Sequence, residues 1–353
     1  MAGLLTPARL RQGFALFVLI SLVAYSGVLL YGHDTAGFIA SLSQLRWRWL
    51  LVGAALASMD WIGGGLRLWV LAREVHPSPP VKGMIIAGGM GAWGSYITPF
   101  QAGASPMMIY AMKRIGIPLP KAMTITLMSF IATVAFFAIA GPTAVFLGAG
   151  KSLAAHGHFL GLSLLDLFKT SMGIFVAIGV LLLLVMIAPK LVSAVVHRIA
   201  TALGRRSTRV SARLDHLRAG IDQAHESMRI FNSPRGWLAL FWATLLSGPS
   251  HANKLLAGYV ALRAIGIEWP FVDVLLVQTF ITFMLYFAPT PGGSGFAEGL
   301  STLTMSMYVT PVMIPIYTLV WRFVLTWFTI GVGFIVFSSW ARRGLKAIEV
   351  PDI

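Results

Sequence analysis

Six ionisable residues lie inside apolar stretches of the sequence, where a charge is costly to keep. They are Asp60, Arg67, His251, Lys254, Glu298 and Arg322. Charged groups in membrane-spanning segments face a cavity or a partner, and they commonly mark a substrate or ion path. Oppositely charged groups at such depth also pair with one another. The sequence therefore predicts either a polar substrate site or a set of structural ion pairs, and both interpretations stay open.

The spacing of these residues limits which of them can pair. Asp60 and Arg67 are seven positions apart, which places them on one helix face about 10 Å apart, too far for direct contact. We expect them to share a third partner, for which Lys254 is a candidate. Glu298 and Arg322 flank one apolar segment and are predicted to pair directly.

Composition indicates the class of protein that carries these charges. The 353 residues are 57% hydrophobic and 11% charged, with a mean hydropathy of +0.79, which is typical of a polytopic membrane protein. There is no cysteine, so disulfides and thiolate chemistry are excluded. The net charge of +15 arises largely from loops and tails beside apolar runs. It predicts contact with anionic lipid headgroups at the cytoplasmic face and no binding of nucleic acid.

The apolar runs predict an all-α fold. A spanning helix needs about 20 apolar residues, and six segments satisfy this: 14–31, 49–71, 121–147, 167–188, 236–262 and 312–337. We interpret the first as a retained span and not a cleaved signal peptide. Two further segments, 81–114 and 271–309, begin as apolar helices, break at Thr-Pro and continue as shorter helices.

The two breaks match each other at a constant offset of 192 residues. The shared or motif positions are Thr98, Pro99 and Gly103 in the first break and Thr290, Pro291, Gly292, Gly293 and Gly295 in the second. Each break follows a span and a proline-containing loop, and each precedes a short helix and another span. The pattern predicts an internal repeat, with halves at about 49–147 and 236–337, inside a single domain 1–353.

The distribution of charge predicts the topology. If each broken segment is a re-entrant hairpin, the basic loops, including the 189–235 connector with its amphipathic pattern, share one side with both termini. That side is then the cytoplasm, and the membrane is the bacterial inner membrane. The halves become inverted repeats, an arrangement that places broken helices at a midplane site. The alternatives are a kink used for packing or a surface loop.

Polar and small residues near the breaks complete the predicted site. Gln101, Ser105 and Ser294 are placed to bind a headgroup or to satisfy freed backbone groups. With the charged residues they form the set of candidate substrate-binding residues: Asp60, Arg67, Gln101, Ser105, Lys254, Ser294, Glu298 and Arg322. Glycines at 63–65 and at 88, 89, 91 and 94 predict close helix packing.

Motifs for enzymatic chemistry are missing from the sequence. "GAGKS" at 148–152 lacks the leading glycine of a phosphate-binding loop, and His156 and His158 have no acidic or thiolate neighbours. No nucleophile elbow, zinc-protease motif or dinucleotide fingerprint is present. We therefore expect no catalysis, no cofactor and no metal, and any transport to be passive, ion-coupled or driven by a partner.

Three blocks carry a family resemblance: "ITPFQAGASPMMIYAMKRIGI", "PTPGGSGFAEG" and "VWRFVLTWFTIGVG". They resemble the lysylphosphatidylglycerol synthase transmembrane family, also described as flippase-like, over about residues 14–340. In the relatives that give the family its name, this domain precedes a soluble aminoacyl-transferase domain and moves aminoacylated phospholipid between leaflets. Ala104 stands where many relatives carry an acidic residue. With no transferase domain before Ile353, the resemblance implies lipid handling without lipid synthesis.

These observations support three hypotheses of function. The first is translocation of an amphipathic lipid, of phospholipid, glycolipid or hopanoid type, between membrane leaflets. The second is ion-coupled transport of a small solute, since inverted repeats with broken helices serve that class equally well. The third is a non-transporting membrane scaffold for a lipid-modifying enzyme partner.

Overall fold

A computed structural model describes residues 42–149, 158–159, 162–188 and 229–349, together with a few positions between 15 and 27 and at 194–195. The predicted span 14–31 and the 189–235 connector lie largely outside the described residues. The described chain is helical apart from two paired strands of two residues each, β1 (His158–Phe159) and β2 (Leu162–Ser163). The predicted helical membrane fold is confirmed: the described elements are almost all helices, and four of the helical segments are long and apolar enough to cross a membrane.

Twelve α-helices occur in the described residues. In chain order they are α1 (Trp47–Ala57), α2 (Met59–Val75), α3 (Val81–Tyr96), α4 (Ala104–Arg114), α5 (Leu119–Ala144), α6 (Leu164–Ile187), α7 (Pro234–Ser250), α8 (Ala252–Ala264), α9 (Phe271–Tyr286), α10 (Phe296–Met305), α11 (Ile314–Arg322) and α12 (Phe328–Glu349). Single π-helical turns follow α5 at Val145–Ala149 and α11 at Phe323–Trp327.

Four described segments are long and apolar enough to cross a membrane: Trp47–Val75, Leu119–Leu147, Leu165–Ile187 and Pro311–Trp340. They coincide with four of the six predicted spans. The predicted span 236–262 is instead divided into α7 and α8 at His251. Pro249 has no backbone N–H and disfavours regular helix, so the division follows from the local sequence.

Both predicted helix–break–helix segments are present. In the first, α3 ends at Tyr96, a 3-10 turn spans Pro99–Gln101, and α4 returns along α3. In the second, α9 ends at Tyr286, a 3-10 turn spans Pro291–Gly293, and α10 packs against α9. We call residues 98–103 the first break and residues 290–295 the second break.

The two segments share helix length and the backbone geometry at the start of each break. Helices α3 and α9 both have 16 residues and both end in tyrosine. The left-handed residues of the first break, Phe100 (φ 51°) and Gln101 (φ 55°), align with Gly292 (φ 60°) and Gly293 (φ 65°) of the second. The two 3-10 turns also touch, and the Phe100 N–H donates to the carbonyl of Ala288, just before the second break, at 3.2 Å. The sequence similarity thus reflects a shared backbone shape over the first four residues of each break, after which Gly103 (φ −76°) and Gly295 (φ 82°) differ.

The helices around the breaks approach one another closely. Helix α7 packs on α2 and α8 packs on α1, so α7–α8 runs antiparallel along α1–α2. A Cβ added at Gly88 of α3 would overlap the backbone of Gly64 and Gly65 in α2, and one at Gly63 would lie 2.7 Å from the backbone nitrogen of Ser250. The prediction that these glycines permit close packing is confirmed.

Candidate functional site

A cavity of about 120 Å³, lined largely by polar side chains, lies between α2, α3, α4 and α5 and reaches the junction of α7 and α8. Of the eight candidate substrate-binding residues, five line it: Asp60, Arg67, Gln101, Ser105 and Lys254. Ser294, Glu298 and Arg322 are not among its described lining residues. The structure thus divides the predicted set into a cavity group and a group around the second break.

Arg67 lies at the wall of this cavity, with only 8% of its surface exposed. Its Nη1 donates to the Thr133 hydroxyl at 2.7 Å and to the Ser247 hydroxyl at 3.3 Å, while its buried Nε has no hydrogen-bond partner. Among the described residues, no carboxylate lies within 4.0 Å of the guanidinium. Arg67 is therefore a buried cation held by neutral groups, and its charge is not compensated by direct contact.

Asp60 lies on α2, seven residues before Arg67, and lines the same cavity. Its Oδ2 accepts hydrogen bonds from Tyr96 Oη at 2.9 Å, Asn253 Nδ2 at 2.9 Å and Thr329 Oγ1 at 3.0 Å. No described side chain donates to Oδ1. Three elements, α3, α8 and α12, therefore fix the carboxylate, and one of its oxygens remains available to a ligand in the cavity.

Lys254 lies on α8 between two tyrosines that end equivalent helices. Its Nζ is 5.5 Å from the ring centroid of Tyr96 and 5.9 Å from that of Tyr286. Such contacts stabilise a cation without neutralising it. Within the described part of the chain, no carboxylate lies within 4.0 Å of Nζ. The sequence predicts Lys254 as the third partner shared by Asp60 and Arg67; all three line one cavity, but the described contacts include no hydrogen bond or ion pair from the Lys254 ammonium to either of them.

His251 also lines the cavity, and both of its ring nitrogens already have hydrogen-bond partners. Its Nδ1 lies 2.7 Å from the Ser247 carbonyl, and its Nε2 lies 2.8 Å from the Tyr286 hydroxyl. A carbonyl only accepts, so Nδ1 donates to it and, in the neutral ring, Nε2 accepts from Tyr286. His251 thus orients Tyr286 beside Lys254. Across the described residues, no three His, Asp or Glu side chains gather as metal ligands.

Glu298 and Arg322 form a separate, buried ion pair. Arg322 Nε donates to Oε1 and Nη2 to Oε2, both at 2.7 Å, and Nη1 donates to the Gly292 carbonyl at 2.9 Å. Both side chains are almost fully excluded from solvent. Glu298 Oε2 also accepts from the Gly295 N–H at 2.8 Å. The predicted direct pairing is confirmed, and the pair ties α10 and α11 to the second break.

Ser294 lies in the second break and is buried. Its backbone N–H donates to the Pro291 carbonyl at 3.0 Å, and its carbonyl accepts from the Thr290 hydroxyl at 2.8 Å. These bonds are internal to the break. The backbone of Ser294 therefore contributes to the shape of the turn, at a distance from the cavity that Arg67 lines.

Several contributors to the site were not predicted from the sequence. They are Tyr96, Thr133, Ser247, Asn253 and Tyr286. The two tyrosines had a usable signal, because each stands just before a break of the repeat. Thr133 and Ser247 had none, since hydroxyls in spanning helices commonly bond to their own backbone, as both also do here.

The rim of the cavity is apolar on one side. Phe130 of α5 lines the cavity and is 48% exposed, and Ser105 of α4 lies exposed beside it. Phe130 is eleven residues from the start of α5, about 16 Å along a candidate spanning helix. That distance is about half the thickness of a bilayer's hydrocarbon core. The cavity therefore borders a surface suited to lipid.

Comparison with known proteins agrees with the resemblance seen in the sequence. No curated protein matches the chain. The family described as the lysylphosphatidylglycerol synthase TM region matches residues 13–333, which is most of the chain and includes both breaks and every residue of the cavity. This is a family of membrane domains associated with lipid handling. The chain therefore belongs to the lysylphosphatidylglycerol synthase transmembrane-region family.

Proposed function

We propose that this protein translocates an amphipathic lipid with an anionic headgroup between the leaflets of a membrane. The observation that carries the proposal is Arg67, a buried guanidinium in a cavity, bonded in the described part of the chain to hydroxyl groups alone. A buried charge without a counter-charge is costly, and an anionic ligand in the cavity would supply that counter-charge. The activity is non-covalent, which makes the protein a transporter and not an enzyme.

The charges of the cavity favour a phosphate-bearing headgroup. Arg67 and Lys254 contribute two positive charges and Asp60 one negative charge, if each is in its usual ionised form. Arginine binds phosphate oxygens through paired N–H donors, and lysine binds them as a point charge. The free Oδ1 of Asp60 can accept a hydrogen bond from a hydroxyl or amine on the same headgroup. The site thus fits an anion that also carries a donor.

The position of the cavity favours a lipid over a small solute. An exposed apolar ring such as Phe130 on a spanning helix faces hydrocarbon, and here the same ring lines a polar cavity. A headgroup can enter past this rim while its acyl chains remain in the bilayer. A solute transporter needs no such lateral contact between cavity and lipid.

We further propose that the two broken segments are re-entrant hairpins of inverted halves. Three observations support this: the equal lengths of α3 and α9, the matched left-handed residues, and the direct contact between the breaks. Inverted halves place such breaks at the midplane. The basic residues after α4 and in the 189–235 connector then lie on the cytoplasmic side of a bacterial inner membrane, with both termini.

The test is exchange of fluorescent lipids between leaflets in proteoliposomes that contain the purified protein. We expect faster exchange of a phosphate-bearing anionic lipid than of a cationic one. Arg67→Gln and Lys254→Gln remove one positive charge each from the cavity and should slow this exchange by about 10-fold or more, the effect of losing a charge-assisted contact worth about 1.5–3 kcal/mol. Arg67→Lys should retain part of the rate.

Lys113→Gln is the matched control, because it removes the same charge from an exposed position at the end of α4. It should exchange lipid at the wild-type rate. Equal exchange by wild type, Arg67→Gln and Lys254→Gln would contradict the proposal. Uptake of a small anion in place of lipid exchange would support the solute transporter instead.

A further inference from the structure

Three arginines gather where α1 begins and α8 ends. Arg46 and Arg48 lie at the start of α1, and Arg263 lies in the last turn of α8. The two helix ends are joined, because the Arg46 N–H donates to the Ala264 carbonyl at 2.9 Å. We call Arg46, Arg48 and Arg263 the arginine cluster. None of them lines the cavity that contains Arg67.

The arginine cluster lies at one end of a candidate membrane span. That span, Trp47–Val75, has 29 residues and is therefore about 40 Å long, which exceeds the thickness of a bilayer's hydrocarbon core. Arg46 and Arg48 are at its start, and Arg73 is in its last turn at the other end. In the orientation proposed above, the cluster is on the non-cytoplasmic side, where the positive-inside rule predicts few arginines. Control of topology therefore does not explain the cluster.

Positive charge at the cluster exceeds the negative charge in contact with it. Arg263 Nη1 lies 2.8 Å from Glu268 Oε1, and Arg46 Nη1 lies 3.9 Å from the same oxygen. Arg48 has no carboxylate within 4.0 Å in the part of the chain that the structure describes. The buried Nε of Arg263 also has no hydrogen-bond partner there. Three guanidinium groups thus share one carboxylate, and the cluster can accept a further anion.

The position of two of these arginines is unfavourable for α1 itself. Arg46 is the N-cap residue and makes no side-chain cap, and Arg48 lies in a first turn that contains no acidic side chain. The N-terminus of a helix carries partial positive charge, so that cations destabilise it and anions stabilise it. An anion bound at the cluster would offset both the helix charge and the two guanidinium charges.

The surface of α1 that follows the cluster is apolar and exposed. Leu51 and Val52 come three and four residues after Arg48, on the same face of the helix, and they are 60% and 45% exposed. The Arg48 guanidinium lies 5.8 Å from the centroid of the exposed Trp47 ring. Tryptophan is typical of the level at which headgroups meet hydrocarbon. The cluster is therefore at headgroup depth, with a hydrocarbon-facing surface beside it.

We propose that the arginine cluster binds the phosphate-bearing headgroup of an anionic membrane lipid, whose acyl chains lie against Leu51 and Val52. The excess of positive charge selects an anion, and arginine donors match phosphate oxygens. The exposed apolar face selects a lipid over a free phosphate ion. This site is separate from the cavity that contains Arg67, and the inference does not depend on the proposed function.

The absence of cysteine in the sequence allows a single fluorescent reporter beside the cluster. Val52→Cys is introduced into the full chain, labelled with a fluorophore and reconstituted into phosphatidylcholine vesicles. Quenching by lipids with brominated acyl chains then measures which lipid occupies this position. We expect brominated phosphatidylglycerol to occupy it at least about 5-fold more strongly than brominated phosphatidylcholine, the effect of one arginine near an anionic lipid. The double variant Arg46→Gln, Arg48→Gln should lower this ratio to about 1.

Two control variants separate this site from the rest of the protein. Arg73→Gln removes the same charge from an exposed position at the other end of the span, and it should leave the ratio unchanged. Arg67→Gln should also leave it unchanged, whatever its effect on lipid exchange, so that failure of the proposed function is recognised separately. Leu51→Cys is the second reporter, to be used if Val52→Cys does not fold.

Two results would overturn the lipid site. The first is a ratio of about 1 with the arginines intact, or a ratio that the double variant retains. The second is loss of the preference when inorganic phosphate is added at constant ionic strength, because the cluster would then bind a free anion and not a lipid. A preference that phosphate leaves intact and the double variant abolishes would support the site.

Discussion

The first and second breaks begin with the same backbone shape but end differently, with Gly103 at a φ of −76° and Gly295 at a φ of 82°, and they are stabilised by different chemistry. In the first break, the Thr98 hydroxyl accepts from the Gly103 N–H and donates to the Gly94 carbonyl, both at 2.8 Å. In the second, the equivalent N–H of Gly295 donates to Glu298, which is bound to Arg322. A neutral hydroxyl in one half and a buried ion pair in the other therefore satisfy the same backbone group.

The segments around the two breaks therefore differ in how tightly their helices are joined. The ion pair joins three elements of the second half, the break, α10 and α11, into one unit. The first half has Pro106 and Phe130 at the equivalent positions and leaves a cavity there. The segment around the second break is thus fixed by an ion pair, whereas the matching segment after the first break borders a cavity.

The largest expected effect comes from breaking the ion pair. Glu298→Ala leaves the buried Arg322 guanidinium without its carboxylate and should lower the free energy of unfolding by about 3–5 kcal/mol. Denaturant titration in mixed micelles measures this loss. The double variant Glu298→Leu, Arg322→Met removes both charges and should lose much less. A double variant as unstable as the single one would show that the charges themselves stabilise the fold.

The next effect compares the two threonines. Thr98→Val removes two hydrogen bonds and leaves the Gly103 N–H without its described partner, whereas Thr290→Val removes one bond, to the Ser294 carbonyl. We expect a loss of about 1–3 kcal/mol for Thr98→Val and about 0.5–1.5 kcal/mol for Thr290→Val. The same titration measures both. Equal losses would mean that the first break does not depend on its hydroxyl.

A third effect concerns the left-handed residues. Gly293→Ala places a Cβ 3.0 Å from Leu285 Cδ2 at a φ of 65°, and should lower stability by about 1–2 kcal/mol because left-handed backbone disfavours a side chain. Gln101→Ala, at the equivalent position, already has a Cβ and loses only the 3.4 Å hydrogen bond to the Leu285 carbonyl, so it should lower stability by less than about 1 kcal/mol. A comparable loss at both positions would contradict the assigned backbone geometry.

The smallest expected effect has the opposite sign. Measured against Gln101→Ala, which lacks the same side-chain hydrogen bond, Gln101→Gly relieves the left-handed strain at a φ of 55° and should raise the free energy of unfolding by up to about 1 kcal/mol, after the greater entropy of glycine in the unfolded chain is subtracted. Glycine substitution elsewhere in a helix lowers stability, so Ala87→Gly in the middle of α3 is the control. A loss at both positions would remove the distinction between break and helix.

Much of the fold could be predicted because its signals are local. Apolar runs predicted the four described spans, and the Thr-Pro pattern predicted both breaks, since proline lacks a backbone donor wherever it stands. The division at His251 was missed because the apolar runs before and after the polar stretch SGPSHANK at 247–254 were counted as one span, although Pro249 lies between them. The order of helices and breaks was therefore readable from sequence, while one helix boundary inside an apolar run was not.

The sequence by itself determined that this is a helical membrane protein with two matching breaks and buried charges, because hydropathy, proline and glycine act over a few residues. Only the tertiary structure decided what those charges do. Arg322 meets Glu298 at a distance of 24 positions, and Asn253 meets Asp60 across 193. Within the residues that the structure describes, Arg67 donates to hydroxyl groups of two other helices. Such partners depend on which helix faces touch, and this is set by close packing at glycines and not by the local sequence around each charge.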